Sequence, residues 1–218
     1  VSGQLLTEDY YIANKFMKGY IGTANIDTNS RLCMSSAVAG YKRAFGSDTV
    51  PANYEDFDHA DLIVLVGSNT AWCHPILFQR IKAAKAVRPQ LKVVVIDPRQ
   101  TATNEIADLH LPLKAGTDVL LFNALLVKLA QNDALDKAYI ASYTTDFEAA
   151  LVAAQKDVGD VNALAARMGV DKQALDTFFE WFCNTPKTTT CFSMGVNQSS
   201  SGTDKVNAII NCHLATGR

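Results

Sequence analysis

Two continuous β-branched apolar runs, "DLIVLVGSN" at 61–69 and "LKVVVIDPR" at 91–99, constrain the fold more than any other feature. Neither alternates apolar with polar residues, so neither suits a sheet with one wet face. Such runs belong to strands buried on both faces of a parallel sheet. Between them, "HPILFQRIKAAKAVRPQ" puts Pro75 at a first helical position and repeats apolar side chains at Ile76, Phe78, Ile81, Ala84 and Val87. Strand, helix and strand in that order predict a βαβ unit with a right-handed crossover.

The pattern continues downstream. "LHLPLK" (109–114) predicts a third short strand, which Pro112 moves toward a sheet edge or a strand end. Thr117 is a good N-cap for an amphipathic helix running to Gln131. Residues 133–184 read as several short helices, the last opened by Asp171, and "TTTCFSMGVNQ" (188–198) reads as a β run ending in a glycine turn before a helix from Thr203. The expected fold is α/β: a doubly wound, mostly parallel sheet with helices on both faces. Its expected parts are a Rossmann-like core at 60–130, a helical insert at 133–184 and a returning strand and helix at 188–218.

At 218 residues the chain can bury about 70% of its unfolded surface and needs no disulfide to fold. Five cysteines at wide spacing, without a CxxC pair, argue against a disulfide framework or zinc ribbon and suit a reducing cytoplasm. A formal charge of -2, with no basic cluster, argues against nucleic acid, and no apolar run approaches a membrane span. The opening "VSGQLLTEDYYIANKFMKGYIG" has neither the basic nor the apolar region of a secretory leader. The chain does not begin with Met, so an excised piece of a longer protein is expected.

In open parallel sheets ligands lie beyond the carboxyl ends of the strands. Here those ends carry Gly67, Ser68, Asn69 and Thr70; Asp97, Pro98, Arg99 and Gln100; Gly116, Thr117 and Asp118; and Met194, Gly195, Asn197 and Gln198. Four such loops on one edge would make a nucleotide-sized pocket, in which glycines let backbone approach phosphates and Asp97 and Asp118 match the donor edge of guanine. Arg99 could hold a phosphate or stack on a base. The plainer reading is that loops choose Asp, Ser, Thr and Gly anyway. Neither GxGxxG nor GxxxxGK[ST] is present, so an ordinary NAD site or P-loop is not indicated. His74 and His213 lack partners at ligand spacing; His74 reads as a helix-entry residue, and Cys183, Cys191 and Cys212 read as core. Cys33, before the small residues "SSAVAG", reads from its surroundings alone as a buried cysteine at a helix start.

The segments "NSRLCMSSAVAGYKRAFGSD", "VGSNTAWCHPILFQRI", "VIDPRQTATNEIADLHLPLKAGTDVLLFNALL" and "SMGVNQSSSGTDKVNAIINCHLATGR" resemble, in order and over nearly the whole chain, the molybdopterin oxidoreductase family. The nearest likeness is to bacterial nitrate reductases that hold molybdenum through cysteine, the cytoplasmic assimilatory type above all, with periplasmic relatives as the alternative. The resemblance implies the central domains of the formate dehydrogenase and DMSO reductase type. It also implies a Mo-bis(molybdopterin guanine dinucleotide) centre, with Cys33 as the metal thiolate, and nitrate as substrate. Asn29, Met194 and Gln198 would approach the same centre. Gly67, Ser68, Asn69, Thr70 and Trp72, then Asp97, Pro98, Arg99, Gln100 and Thr101, then Gly116, Thr117 and Asp118 match the nucleotide loops.

The family's N-terminal iron–sulfur cluster and its C-terminal domain have no counterpart in these residues, so the chain alone is expected to be inactive. An electron donor protein or reductase subunit is implied, with its identity open. Met34 stands where formate dehydrogenases place His, which favours nitrate over formate. A formate dehydrogenase fragment and a non-catalytic guanine-nucleotide-binding module remain as alternatives.

Overall fold

The computed structural model of the chain describes residues 1, 5–29 and 33–218. At its centre are β1 (Leu62–Val66), β2 (Lys92–Ile96), β3 (Leu109–Leu111) and β4 (Thr188–Phe192), in one sheet of order β3-β2-β1-β4. Every pairing is parallel, and Leu62 is in register with Lys92 on one side and Thr188 on the other. All of β1 is buried and so is β2 from Val93 to Ile96, which explains why both runs are apolar without alternation. β3 stops at Leu111, just before Pro112, and lies at the sheet edge, where a residue without an N–H is tolerated.

The principal helices are α1 (Thr7–Asn14), α2 (Ser35–Phe45), α3 (Pro75–Val87), α4 (Asp118–Gln131), α5 (Phe147–Val158), α6 (Lys172–Asn184) and α7 (Gly202–Ala215). α3 covers one face of the sheet, and α4, α6 and α7 cover the other. Ile63, Leu65, Val93 and Val95 pack with Phe78 and Ile81 of α3. On the other face, Leu62, Val64, Val66, Val94 and Ile96 join Leu121 and Leu125 of α4, Phe178 of α6, and Val206 and Ile209 of α7. Alternate side chains of one strand therefore feed two cores, which is the doubly wound arrangement. Side chains from 133–184, among them Val158, Met168 and Phe182, sit in the second of these cores. α2 rests on α7 through Gly40, where a Cβ would come within 2.4 Å of Val206 Cγ1.

Helix starts follow the expected residues, with one difference in detail, and the last strand ends early. Pro75 opens α3 after His74, and the Asp171 carboxylate caps α6 by accepting from the Ala174 N–H at 2.9 Å. Thr117 does precede α4, but its hydroxyl donates to the Lys114 carbonyl at 2.7 Å and caps no helix N–H. The β run expected through 198 ends at Phe192. There the Gly195 N–H turns toward the Gly67 carbonyl, 2.9 Å away, and Met194–Asn197 wind into one helical turn. Of the cysteines read as core, Cys212 is fully buried; Cys183 and Cys191 are partly exposed, although burial still pushes the Cys191 thiol up to about 12.

His213 ties α7 to the sheet. Its Nε2 shares a hydrogen bond with Thr190 Oγ1 at 2.8 Å, and its ring meets Phe182 edge-on at a centroid distance of 5.4 Å. Burial, with Arg218 as the second cause, lowers its pKa from 6.5 to about 4. The unfolded chain therefore binds a proton near the ordinary histidine pKa that the folded chain refuses until about pH 4. Stability from this group is full above the unfolded value and is lost as pH falls through the window. The expected loss is on the order of 3 kcal/mol between neutral pH and the lower end of the window. Urea unfolding across that range checks it: His213→Gln should flatten the slope, and an unchanged slope would refute the assignment.

Candidate functional site

Because all four strands are parallel, their carboxyl ends open on one edge of the sheet. The chain runs outward from β1 to β2 and β3, then returns to β4 on the opposite side of β1. That reversal makes the gap beyond β1 and β4 the topological switch point, where such sheets bind ligands. It is lined by Gly67 and Gly195, whose backbones touch. A Cβ on Gly67 would lie 2.8 Å from Gly195 Cα, and one on Gly195 would lie 2.7 Å from Gly67 Cα.

The turn after β4 brings three side chains from distant sequence together. Cys33 Sγ lies 3.7 Å from Met194 Sδ, and Gln198 Nε2 donates to the same sulfur at 3.7 Å. Cys33 is half-buried, and its N–H bonds the Asn29 carbonyl at 2.9 Å, so Asn29 meets Cys33 through its backbone while remaining exposed itself. Ser30, Arg31 and Leu32 of the same motif lie outside the described residues. The structure thus brings Cys33, Met194 and Gln198, which the family resemblance groups around one centre, within contact of one another.

Asn197, noticed in the sequence only as a polar loop residue, is the girder beneath them. It is 4% exposed, accepts from the Ala37 N–H at 2.9 Å and donates to the Ser193 carbonyl at 3.3 Å. Its amide also meets Met34 Sδ at 3.8 Å. One buried amide thus locks the start of α2, which carries Cys33 just upstream, to the turn that carries Met194 and Gln198.

The other three loops hold the remaining expected residues. In the first, Ser68 and Thr70 hydroxyls bond each other at 2.6 Å, Asn69 adopts a left-handed conformation at φ 41, and its Oδ1 is buried without a partner. Trp72 is 77% exposed at this rim. In the second, Asp97 Oδ1 accepts the Arg99 N–H at 2.9 Å, forming the loop's own turn, while the Arg99 side chain projects outward. Pro98 and Gln100 are exposed, and Thr101 caps the short helix Ala102–Ile106 by accepting from the Thr103 N–H. Thr103, which the sequence did not single out, is fully buried and accepts the Ala71 N–H at 3.1 Å, tying the second loop to the first. In the third, Gly116 has φ 89 with open space around it, so the glycine serves conformation there and not close approach. Asp118 is paired with Lys205 Nζ at 2.7 Å, a partner the sequence did not reveal. Among the described residues there is no group of three His, Cys, Asp or Glu that could hold a metal ion by themselves.

The molybdopterin oxidoreductase family model matches residues 1–218. The chain is 55% identical to a nitrate reductase of Klebsiella oxytoca over 217 residues, covering all of this chain and 24% of that protein. It is 56% identical to a nitrate reductase of Shewanella frigidimarina (strain NCIMB 400) over 218 residues, covering 23% of that protein. The chain thus spans about a quarter of the length of these relatives. The acetylene hydratase of Pelobacter acetylenicus shares its fold, with a TM-score of 0.77 over 95% of this chain and 28% of that chain, at 21% identity.

The glycine contact and the buried amide are separable by mutation. Gly195→Ala should cost about 2 kcal/mol, because the clash is with backbone that cannot step aside. Asn197→Ala should cost about 1–3 kcal/mol by leaving the Ala37 N–H buried and unbonded. Urea midpoints measure both, and a midpoint unchanged in either variant would remove that contact from the frame.

Proposed function

The chain belongs to the molybdopterin oxidoreductase family, and from that premise we propose that it is the cofactor-cradling part of a longer nitrate reductase, which reduces nitrate to nitrite. The observation that carries this reading is the meeting of Cys33, Met194 and Gln198 beside the Gly67–Gly195 contact. A soft sulfur ligand thereby stands at the place where the fold binds ligands. The similarity to nitrate reductases supports the choice of substrate.

The residues fit a molybdopterin cofactor on three counts. Gly67 and Gly195 keep the switch point free of side chains. Asn69 Oδ1, buried without a partner, is an acceptor awaiting a donor. The sulfur pair of Cys33 and Met194 is chemically suited to a metal that thiolates hold. On this reading Cys33 is the protein ligand to molybdenum, and Asn29, Met194 and Gln198 line its surroundings. Gly67–Thr70 and Trp72, Asp97–Thr101 and Gly116–Asp118 take the guanosine end of a molybdopterin guanine dinucleotide. The bound cofactor supplies the two-electron, oxygen-abstracting chemistry that turns nitrate, two protons and two electrons into nitrite and water.

This chain's own contribution is positional. The Gln198 amide donates to the Cys33 sulfur and orients it. The Met194 thioether covers the same sulfur with a polarizable, apolar group that displaces water. Asn197 holds both turns in register. An iron–sulfur cluster, an electron donor protein and a cytoplasmic setting belong to the parent in this reading; among the described residues no helix is long and apolar enough to cross a membrane. The 218-residue chain by itself carries no turnover.

The test uses the full-length parent, wild type beside Cys33→Ala, with molybdenum per chain by elemental mass spectrometry and nitrate reduction driven by a chemical reductant. Molybdenum with nitrate turnover in the wild type, and loss of at least about two orders of magnitude in turnover in the variant, is expected for a lost metal ligand. Molybdenum with formate oxidation and no nitrate turnover would transfer the reading to a formate dehydrogenase. A parent without molybdenum would overturn both.

A further inference from the structure

Lys205 stands in the first turn of α7 and is 3% exposed, so its ammonium has left water almost completely. Its ion-pair partner is Asp118 at the first position of α4, with Nζ 2.7 Å from Oδ2. Neither stability nor helix electrostatics explains a lysine here. A cation in the first turn opposes the helix dipole. A buried ion pair is replaced by apolar side chains of similar volume at little or no cost.

The pair is asymmetric toward solvent. The Lys205 side chain is 4% exposed and that of Asp118 is 17%, so a ligand at this edge meets the carboxylate and not the ammonium. Lysine is a point charge that binds one carboxylate oxygen, whereas arginine's planar fork takes both. Among the described residues no second hydrogen-bond or ion-pair partner meets the Asp118 carboxylate, so Oδ1 is left as a single acceptor. Neutralised by Lys205, that carboxylate can also stand close to an anionic ligand without a net charge of its own.

We propose that Lys205 is a positioning residue for the nucleotide end of the cofactor: it holds Asp118 by one oxygen, leaves the other to accept from a base N–H or ribose O–H, and cancels the carboxylate's repulsion of the diphosphate. This rests on the cofactor reading above. It assigns to the third loop a member that lies about ninety residues away, in the first turn of α7.

Lys205→Arg in the full-length parent is the test, read by GMP released per chain after acid hydrolysis and by the unfolding temperature. Arg keeps the ion pair but occupies both oxygens. The expected result is an unfolding temperature within about 2 °C of wild type and GMP per chain lowered at least about fivefold. A folded Lys205→Arg protein with wild-type GMP overturns the proposal, because a purely structural pair would behave that way. If arginine does not fit, Lys205→Gln decides, since it keeps Asp118 and can donate to one of its oxygens but carries no charge to offset the carboxylate. Folded with GMP still lowered, it supports the proposal; folded with GMP at the wild-type level, it overturns it. Failure of both proteins to fold would make the pair structural and also overturn it. A wild-type parent that releases no GMP would instead sink the cofactor reading, before any variant is made.

Discussion

The contact between Gly67 and Gly195 sets the geometry of everything beyond the sheet. β4 is the last strand to arrive and must lie against β1, in register with Leu62 at its start. At the far end the two chains approach until their Cα atoms leave no room for a Cβ on either side. The Gly195 N–H then bonds the Gly67 carbonyl, the extended chain breaks, and Met194–Asn197 wind into a turn. Any larger residue at either position would push that turn outward and separate Met194 and Gln198 from Cys33. Two absent side chains thus decide where three present ones meet.

A second level of control is polar and buried. Asn197 joins α2 to this turn, Thr103 joins the second loop to the first, and Lys205 joins α7 to α4. Each crosses between elements that hydrophobic packing alone brings together without fixing their register to a fraction of an ångström. Burial makes such links demanding, since a lost partner leaves an uncompensated group in a medium of low dielectric. The same demand makes them specific: each is satisfied in one relative placement of its two elements. The cores supply stability on both faces of the sheet, and these few polar bridges supply position along its edge.

How much of this was legible in the sequence follows from the range of each interaction. β1, β2 and α3 were readable because burial on both faces and a proline at a helix start leave local patterns. The end of β4 was not, because its cause is Gly67, more than a hundred residues away in sequence. The Thr117 hydroxyl had two acceptable partners within a few residues, and propensity does not choose between a capping bond and a bond to the Lys114 carbonyl. Cys33 with Met194 and Gln198 came from resemblance to a family and not from spacing; no local pattern links residues so far apart. Lys205 leaves a faint signal, a lysine one turn into a helix where the dipole disfavours it, and the sequence shows Asp118 only as an acceptor because its partner lies on another helix.

The charges at this edge are paired before any ligand arrives. Asp97 is bonded by the N–H of its own loop, and Asp118 by Lys205. A ligand that engaged these carboxylates would not have to drag them from water or reorient them, so that cost is met during folding and not during binding. The two devices differ in what enforces them. The Asp97 turn is local and survives as long as its loop does. The Asp118 pair depends on α4 and α7 lying side by side, which depends on their shared packing against Val64, Val66 and Val94 on the face of the sheet. The acceptor that a ligand would meet at the third loop is therefore held in place from beneath by the hydrophobic core, and disturbing that core would be felt at the loop before the sheet itself came apart.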